Sequence, residues 1–173
     1  SSAPLAGQNP PLHEEMAAIP MSPYGASKLS GEGYCSAYYH SFGLGTTTLR
    51  FSNVYGPGSH RKQSIVAKAI RHALDGEQIP VYGDGNQMRD FIYVDDLIEA
   101  VVKCINCQAV FGETLQVSTG VGTSINKIIS LIENELLANK LQFNGFQNEP
   151  IKAGDAFRNI SSNNKLKKLI NWY

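Results

Sequence analysis

The chain has 173 residues, 42% of them hydrophobic and 17% charged, so it can bury a core and is not a disordered tail. Fifteen Lys and Arg balance fifteen Asp and Glu, which argues against a nucleic-acid binder, because such proteins carry a basic surplus. No apolar run is as long as the about 18 residues that a membrane span needs, and no signal-peptide pattern opens the chain. The three cysteines cannot all pair within the chain, which suits a reducing compartment. We therefore expect a cytoplasmic protein that does not bind membranes.

Helical and strand-like segments alternate along the chain. The first segment, 1–22, predicts a strand end and then a proline-rich loop. Ser22 and Pro23 are typical of a helix start and Gly43 of a helix end. The predicted helices are 23–42, 64–75, one capped by Asp95 or Asp96 that runs through Ile105, one capped by Thr123 or Ser124 that runs through Leu137, and one near 163–171. The predicted strands are 46–51, 79–82, 91–94, 114–118 and one near 157–160. This alternation favours a layered α/β fold.

Tyr24 and Lys28 stand four residues apart on the first predicted helix, on one face. An ammonium near a phenol favours the phenolate, which can exchange a proton with an alcohol. The same spacing also occurs by chance on many solvated helices. The pair therefore gains weight only from the residues around it.

Four ordered blocks supply that context. They are Ser1-Ser2-Ala3, Tyr24-Gly25-Ala26-Ser27-Lys28, Arg50-Phe51-Ser52-Asn53-Val54-Tyr55-Gly56-Pro57, and the segment from Tyr82 to Asp96, YGDGNQMRDFIYVDD. Together they resemble the extended short-chain dehydrogenase/reductases, in particular the NAD-dependent nucleotide-sugar epimerase/dehydratase family of the UDP-glucose 4-epimerase type. The resemblance covers nearly the whole chain.

The resemblance implies a role for each matching residue. It makes Tyr24, Lys28 and Ser2 catalytic, places Tyr24, Lys28 and Phe51 against NAD, and assigns the nucleotide-diphosphate sugar to Ser2, Asn53, Tyr82, Arg89 and Asp155. Arginine suits a diphosphate because its guanidinium is a forked donor, and a tyrosine can stack on a base. Structural alternatives stay open: Arg89 could pair with a neighbouring Asp, Tyr82 could be core, and Asp155 could cap a turn.

The family's G-x-x-G-x-x-G dinucleotide motif is absent from the chain. The resemblance therefore implies the C-terminal part of a Rossmann-type parallel sheet with a small α/β substrate-binding domain. Residues 1–58 would form the second half of the NAD-binding domain, and 59–173 mainly the nucleotide-sugar domain, with about 89–110 returning to the first. In such a piece Ser2 would lie on an exposed sheet edge. We expect residues 1–173 alone to be inactive.

The function implied is NAD-dependent epimerisation of a UDP-sugar, of the UDP-glucose/UDP-galactose type, through a transient 4-keto sugar in a homodimer. Ala3 and Pro4 follow Ser2, where family dehydratases usually carry Asp and Glu, and this favours epimerisation. A nucleotide-sugar 4,6-dehydratase, another family epimerase, and a non-catalytic remnant that binds nucleotide sugar are the alternatives. The four histidines are scattered, so no metal is expected.

Overall fold

The computed structural model describes residues 1–151 and 156–172. Its α-helices are α1 (Pro23–Phe42), α2 (Ile65–Leu74), α3 (Val94–Ile105), α4 (Ile125–Ala138) and α5 (Asn164–Ile170). Its strands are β1 (Thr48–Phe51), β2 (Asn53–Tyr55), β3 (Ile79–Tyr82), β4 (Met88–Tyr93), β5 (Thr114–Val117), β6 (Gly122–Ser124), β7 (Phe146–Glu149) and β8 (Arg158–Asn159). Two short 3₁₀ helices cover Ala3–Leu5 and Gln108–Val110. The prediction of a mixed α/β fold is confirmed.

Local signals account for the limits of α1. The Ser22 hydroxyl accepts a hydrogen bond from the Gly25 N–H at 3.1 Å, and Pro23 occupies the first turn. At the other end Gly43 adopts the left-handed conformation, with φ of 65°, which costs glycine little. The predicted helix 23–42 is therefore confirmed.

The strands form three small sheets. β1 pairs parallel with β5, and Arg50 lies opposite Gln116. β4 pairs parallel with β2 and β8 and antiparallel with β6. β3 and β7 form a separate parallel pair. Parallel pairing with helical crossovers is the pattern of an α/β fold.

Two hydrophobic clusters hold these elements together. The first joins α3, β5 and α5, with Ile92, Leu115, Leu166 and Trp172 among its buried members. The second joins α2, β3 and α4; its buried members are Ala69, Ala73, Ile79, Val81, Ile125, Ile129 and Leu136. Burial of such apolar surface is the main stabilising term of a fold of this size.

Several sequence expectations were wrong in detail. Residues 3–5 form a 3₁₀ helix, not a strand end. Helix α3 is preceded by Tyr93 at the N-cap position, so Asp95 and Asp96 lie in its first turn and do not cap it. The strand predicted at 91–94 begins earlier, at Met88. Strands β2, β6 and β7 were not predicted.

Candidate active site

Gly25 sets how closely the start of α1 approaches the beginning of the chain. A Cβ at Gly25 would lie 2.9 Å from the backbone oxygen of Ala3, closer than real Cβ atoms approach. Gly25 is also the buried residue of α1, whose other residues are half-buried or exposed. The absence of a side chain thus allows the first turn of α1 to pack on the 3₁₀ helix, which brings Tyr24 and Ser2 to one cavity.

Tyr24 and Lys28 occupy successive turns of α1. The Lys28 Nζ lies 5.2 Å from the centroid of the Tyr24 ring, a cation–π distance. The Tyr24 side chain is largely exposed, so its phenol is available to a ligand. The four-residue spacing of Tyr24 and Lys28 therefore corresponds to a contact between their side chains in the structure.

Ser2 lies beside this pair but is buried, with only 4% of its surface exposed. Its hydroxyl donates to Oε1 of Gln116 at 3.1 Å and lies 3.3 Å from Oγ of Ser161. Ser2 occupies the N-cap position of the 3₁₀ helix Ala3–Leu5. The expectation of Ser2 on an exposed sheet edge is therefore wrong, because packing from β5 and from the segment after β8 covers it.

Phe51 and Asn53 approach the same cavity from the end of β1 and the start of β2. The Asn53 side-chain amide donates to the backbone carbonyl of Asp90 at 3.1 Å. This bond constrains the orientation of the Asn53 amide, because its nitrogen is held by the main chain of β4.

The cavity encloses about 710 Å³, within the size range of small-molecule sites. It brings together five of the residues that the sequence singled out: Ser2, Tyr24, Lys28, Phe51 and Asn53. Lys62, Ser64 and Asn159 also line it, and we did not predict Lys62 or Ser64 as site residues. Lys62 adds a second cation to the cavity. No sequence motif indicates Lys62 as a site residue, because its place at the cavity depends on the path of the loop before α2.

Tyr82 and Arg89 are not among the residues that line this cavity. The Tyr82 ring faces Lys68, whose Nζ lies 5.7 Å from the ring centroid. Arg89 donates from Nη1 to the carbonyl oxygens of Met88, at 2.9 Å, and Phe157, at 3.4 Å. Arg89 is the register partner of Asn159, which does line the cavity. Asp155 lies outside the described residues.

A second cavity of about 610 Å³ lies between α2, α4 and the sheet that contains β4. Its walls are mostly aliphatic and aromatic, and Glu135 is the acid among its lining residues. It contains neither the Tyr24–Lys28 pair nor a lysine or arginine. The polar cavity beside Tyr24 is therefore the better candidate for chemistry.

Within residues 1–151 and 156–172, no three His, Cys, Asp or Glu side chains lie close enough to hold a metal ion. In the same part of the chain no helix has the length and apolarity needed to cross a bilayer.

Comparison with known proteins identifies the class. Residues 1–117 match the NAD dependent epimerase/dehydratase family, and the chain belongs to this family. The prediction of the family is therefore confirmed.

Within that family, the chain is similar both to epimerases and to dehydratases. The chain is 33% identical to a UDP-glucuronate 4-epimerase of Thermodesulfobacterium geofontis over 99% of its own length and 52% of the relative's. It is 38% identical to a dTDP-glucose 4,6-dehydratase of Xanthomonas campestris over 66% of its length and 31% of the relative's. MoeE5, solved with UDP-glucuronic acid and NAD, superposes with a TM-score of 0.90 at 28% identity, covering 99% of this chain and 56% of MoeE5. The chain thus spans about half the length of the UDP-glucuronate 4-epimerase and of MoeE5, and about a third of the dehydratase.

The cofactor of the family is NAD, as the sequence resemblance implied. The residues present fit one end of that molecule. Lys28 and Phe51 line the cavity with the exposed Tyr24 phenol, a cationic and an aromatic group suited to a ribose and a planar ring. No glycine-rich dinucleotide motif occurs in the sequence.

Proposed function

We propose that this chain carries the proton-transfer and substrate-binding part of an NAD-dependent nucleotide-sugar epimerase, of the UDP-glucose/UDP-galactose 4-epimerase type. The observation that carries the proposal is the convergence of Ser2, Tyr24 and Lys28 on one cavity with Asn53. The similarity to UDP-sugar 4-epimerases along nearly the whole chain supports the same reaction.

In this reaction Tyr24 acts as the general base. Its phenolate oxygen accepts the proton of the sugar 4-hydroxyl directly or through Ser2, and Lys28 stabilises the phenolate through its positive charge. Ser2 hydrogen-bonds the reacting hydroxyl. Bound NAD supplies the oxidation and re-reduction at the sugar C4, by way of a transient 4-keto sugar, so that the reaction is redox-neutral.

We assign the rest of the nucleotide sugar to residues around this centre. Asn53 offers its amide oxygen to the diphosphate sugar, and Arg89 offers a forked cation to the diphosphate. Tyr82 stacks on the base, which we take to be uracil. Asp155 contacts the ribose. The last three assignments rest on the family resemblance, since Tyr82 and Arg89 lie outside the cavity lining and Asp155 outside the described residues.

We propose the domain division on the same basis. Residues 1–58 complete an NAD-binding domain and 59–173 form mainly the sugar-nucleotide domain, with about 89–110 returning to the first. The packing of Ile92 and α3 into the hydrophobic cluster that contains β5 supports the return. The second cluster, with α2, β3 and α4, supports a separate unit for the remainder.

We further propose that the protein is a cytoplasmic homodimer in which α1 and either α2 or its neighbour meet their copies in a four-helix bundle. Helix α1 exposes Tyr34, Tyr38 and Phe42 by 68%, 50% and 76%, which is more aromatic surface than a solvated helix usually presents. Sedimentation of the full-length protein at micromolar concentration tests this, and a monomer would refute it.

A 4,6-dehydratase is the second candidate, because dehydratases are also among the relatives. Ala3 and Pro4 after Ser2 speak against it, since neither side chain can donate or accept a proton. A non-catalytic remnant is the candidate of another class, and the missing dinucleotide motif is the observation that favours it.

The test uses the full-length protein, meaning this chain within a protein of the length that its relatives have. It is incubated with UDP-glucose, UDP-galactose and dTDP-glucose, and the products are separated by chromatography. We expect reversible interconversion of the two UDP-sugars without added NADH. A 4-keto-6-deoxy product would favour the dehydratase, and no turnover of any sugar nucleotide would favour the remnant.

A further inference from the structure

The cavity beside Tyr24 is lined by positive charge. Among the described residues that line it, Lys28 and Lys62 are cationic and none is acidic. The chain as a whole has a formal net charge of zero, so this positive charge is a local property of the cavity. A concave site lined by one sign of charge attracts a ligand of the opposite sign. The cavity is therefore suited to an anionic group.

The two lysines differ in what their ammonium groups contact. The Lys28 Nζ lies over the Tyr24 ring, 5.2 Å from its centroid. The exposed Lys62 ammonium makes no hydrogen bond, ion pair or ring contact with any residue in 1–151 or 156–172. A lysine ammonium has three N–H donors. Those of Lys62 are available to a ligand in the cavity.

The main chain around Lys62 is held by a set of hydrogen bonds. The Lys62 N–H donates to the carbonyl of Ser59 at 2.8 Å, and the Ser59 hydroxyl donates to the carbonyl of Gly56 at 2.6 Å. Nη1 of Arg71 donates to the carbonyl oxygens of His60 and Lys62, the latter at 2.8 Å. Because the guanidinium is charged, its bonds are stronger than those between neutral groups. Arg71 thus fastens the loop at the residue that carries the ammonium.

Arg71 can influence the cavity only by way of this loop. It is not among the residues that line the cavity, and it lies in the last turn of α2. Helix α2 is itself anchored, because Ala69 and Ala73 are buried members of the second hydrophobic cluster. The guanidinium therefore connects the loop to an element whose position the core determines.

We propose that Lys62 binds the diphosphate of the nucleotide sugar and that Arg71 is the positioning residue that holds Lys62 in the cavity. This inference rests on the proposed function and deepens it. The diphosphate is the anionic group of UDP-glucose and UDP-galactose, whose sugars are neutral. A lysine ammonium is a compact charge that binds phosphate oxygens. Since Lys28 is directed at Tyr24, Lys62 is the lysine left for the diphosphate.

The first test is calorimetric titration of the full-length protein with UDP, which needs no turnover. We expect Lys62→Met to weaken UDP binding about tenfold or more, as for the loss of a hydrogen bond between charged groups. Lys62→Arg should bind UDP within about threefold of the wild type, because a guanidinium also binds phosphate. Lys127→Met is the matched control, since Lys127 is exposed on α4 and lines neither cavity. Wild-type UDP affinity in Lys62→Met would overturn the proposal.

Titration with UDP-glucuronate and UDP-glucose distinguishes a phosphate from a sugar carboxylate as the partner of Lys62. If Lys62 binds the diphosphate, Lys62→Met weakens the binding of UDP, UDP-glucose and UDP-glucuronate by the same factor. A loss confined to UDP-glucuronate would mean that Lys62 binds the sugar carboxylate, and the diphosphate assignment would be wrong.

A double-mutant cycle tests whether Arg71 acts through Lys62. Arg71→Met alone should weaken UDP binding, but in the Lys62→Met background it should add less than about twofold, because the group that it positions is already absent. Arg71→Lys keeps a charged donor and should restore most of the affinity. Losses that multiply in the double variant would contradict the positioning role, and so would wild-type affinity in Arg71→Met.

Arg61→Gln is the control for Arg71. Arg61 belongs to the same loop and does not line the cavity, and it makes no hydrogen bond or ion pair within the described part of the chain. Its replacement should leave UDP affinity unchanged. A merely structural role for Arg71 would lower the stability of the protein equally in both backgrounds without the coupling in UDP affinity. If Arg71→Met does not fold, Arg71→Gln, which also lacks the charge, takes its place in the cycle.

Steady-state kinetics with UDP-glucose separates binding from chemistry. Lys62→Met should raise KM about tenfold and leave kcat within about threefold, because the diphosphate is unchanged by the reaction. A loss in kcat alone would refute the assignment of Lys62 to the diphosphate. If the wild type binds UDP but does not interconvert UDP-sugars, the proposed function fails, and the titrations still decide whether Lys62 and Arg71 hold the diphosphate.

Discussion

Arg50 and Glu32 form a two-pronged ion pair that fastens α1 to β1. Arg50 donates from Nε to Oε1 of Glu32 at 2.9 Å and from Nη2 to Oε2 at 2.7 Å. The two side chains are only 6% and 12% exposed. Glu32 stands one turn after Lys28 on α1, and Arg50 immediately precedes Phe51. The pair therefore connects the helix that carries the tyrosine to the strand that borders the same cavity.

We predict that Glu32→Gln lowers the free energy of unfolding by about 3–5 kcal/mol, because it leaves a buried guanidinium without its counter-charge. Glu113→Gln is the matched control, since the pair between Glu113 and Lys165 is 43% and 34% exposed, and such pairs contribute less than about 1 kcal/mol. Urea unfolding measures both. Equal losses would mean that the buried pair does not fasten the helix.

Local sequence signals predicted α1 because its cap residues act within one turn. Ser22, Pro23 and Gly43 determine both ends without help from the rest of the chain. Strand β7 was missed for the opposite reason. Its residues are mostly exposed and polar, and it is a strand only because it pairs with β3, more than 60 residues earlier.

The candidate site likewise has one part that the sequence predicted and one part that it did not. Four-residue spacing on a helix predicted the Tyr24–Lys28 contact. The partners of Ser2, by contrast, lie 114 and 159 residues away in the sequence, and no pattern in the chain indicates them. Tertiary packing alone determines which polar groups meet Ser2.

A second prediction concerns Asp90, which is completely buried. Its carboxylate accepts hydrogen bonds from the backbone N–H groups of Thr119, Gly120 and Ser161 and from the Thr119 hydroxyl. Asp90→Asn would turn an NH₂ group toward these donors, and we expect it to cost about 3 kcal/mol. Asp84→Asn, in an exposed turn, should cost far less. Urea titration of both variants is the measurement, and similar midpoints would contradict a special role for Asp90.

A third prediction concerns Cys104. Burial, followed by the neighbouring Cys107, raises the pKa of the Cys104 thiol, so it should remain protonated at pH values at which an exposed thiol ionises, about 8.5. We expect iodoacetamide to modify the half-buried Cys35 and Cys107 first, which peptide mass spectrometry can resolve. Unfolding in urea should equalise the three rates.

The same shift has a defined effect on stability. The native state holds the Cys104 proton more tightly than the unfolded state, so the free energy of unfolding falls as the pH rises above the thiol's ordinary pKa. Cys104→Ala should flatten this alkaline slope. A slope unchanged by the substitution would show that the thiol does not cause it.

A fourth prediction tests the general base. In the full-length protein, Tyr24→Phe should lower kcat about a hundredfold or more while nucleotide-sugar affinity barely changes, because only the proton acceptor is lost. Tyr34→Phe on the same helix is the matched control, since Tyr34 is exposed and does not line the cavity. Steady-state kinetics and calorimetry separate turnover from binding. Normal turnover in Tyr24→Phe would end the assignment.

The last prediction concerns residues 1–173 on their own. The cavity offers Tyr24, Lys28 and Phe51 to one end of NAD, but the sequence has no glycine-rich motif to hold the pyrophosphate at a helix N-terminus. Without those contacts most of the usual dinucleotide binding energy is missing. We therefore expect the 173-residue chain neither to bind NAD measurably nor to epimerise a UDP-sugar.

Isothermal titration with NAD⁺ measures this directly, and titration with a UDP-sugar is its control. Weak UDP-sugar binding can persist, because Asn53 lines the cavity and Lys62 adds a cation there. The exposed aromatic face of α1 should promote self-association of the same sample. Saturable NAD⁺ binding at micromolar concentration would mean that these 173 residues hold the cofactor through contacts other than a glycine-rich loop.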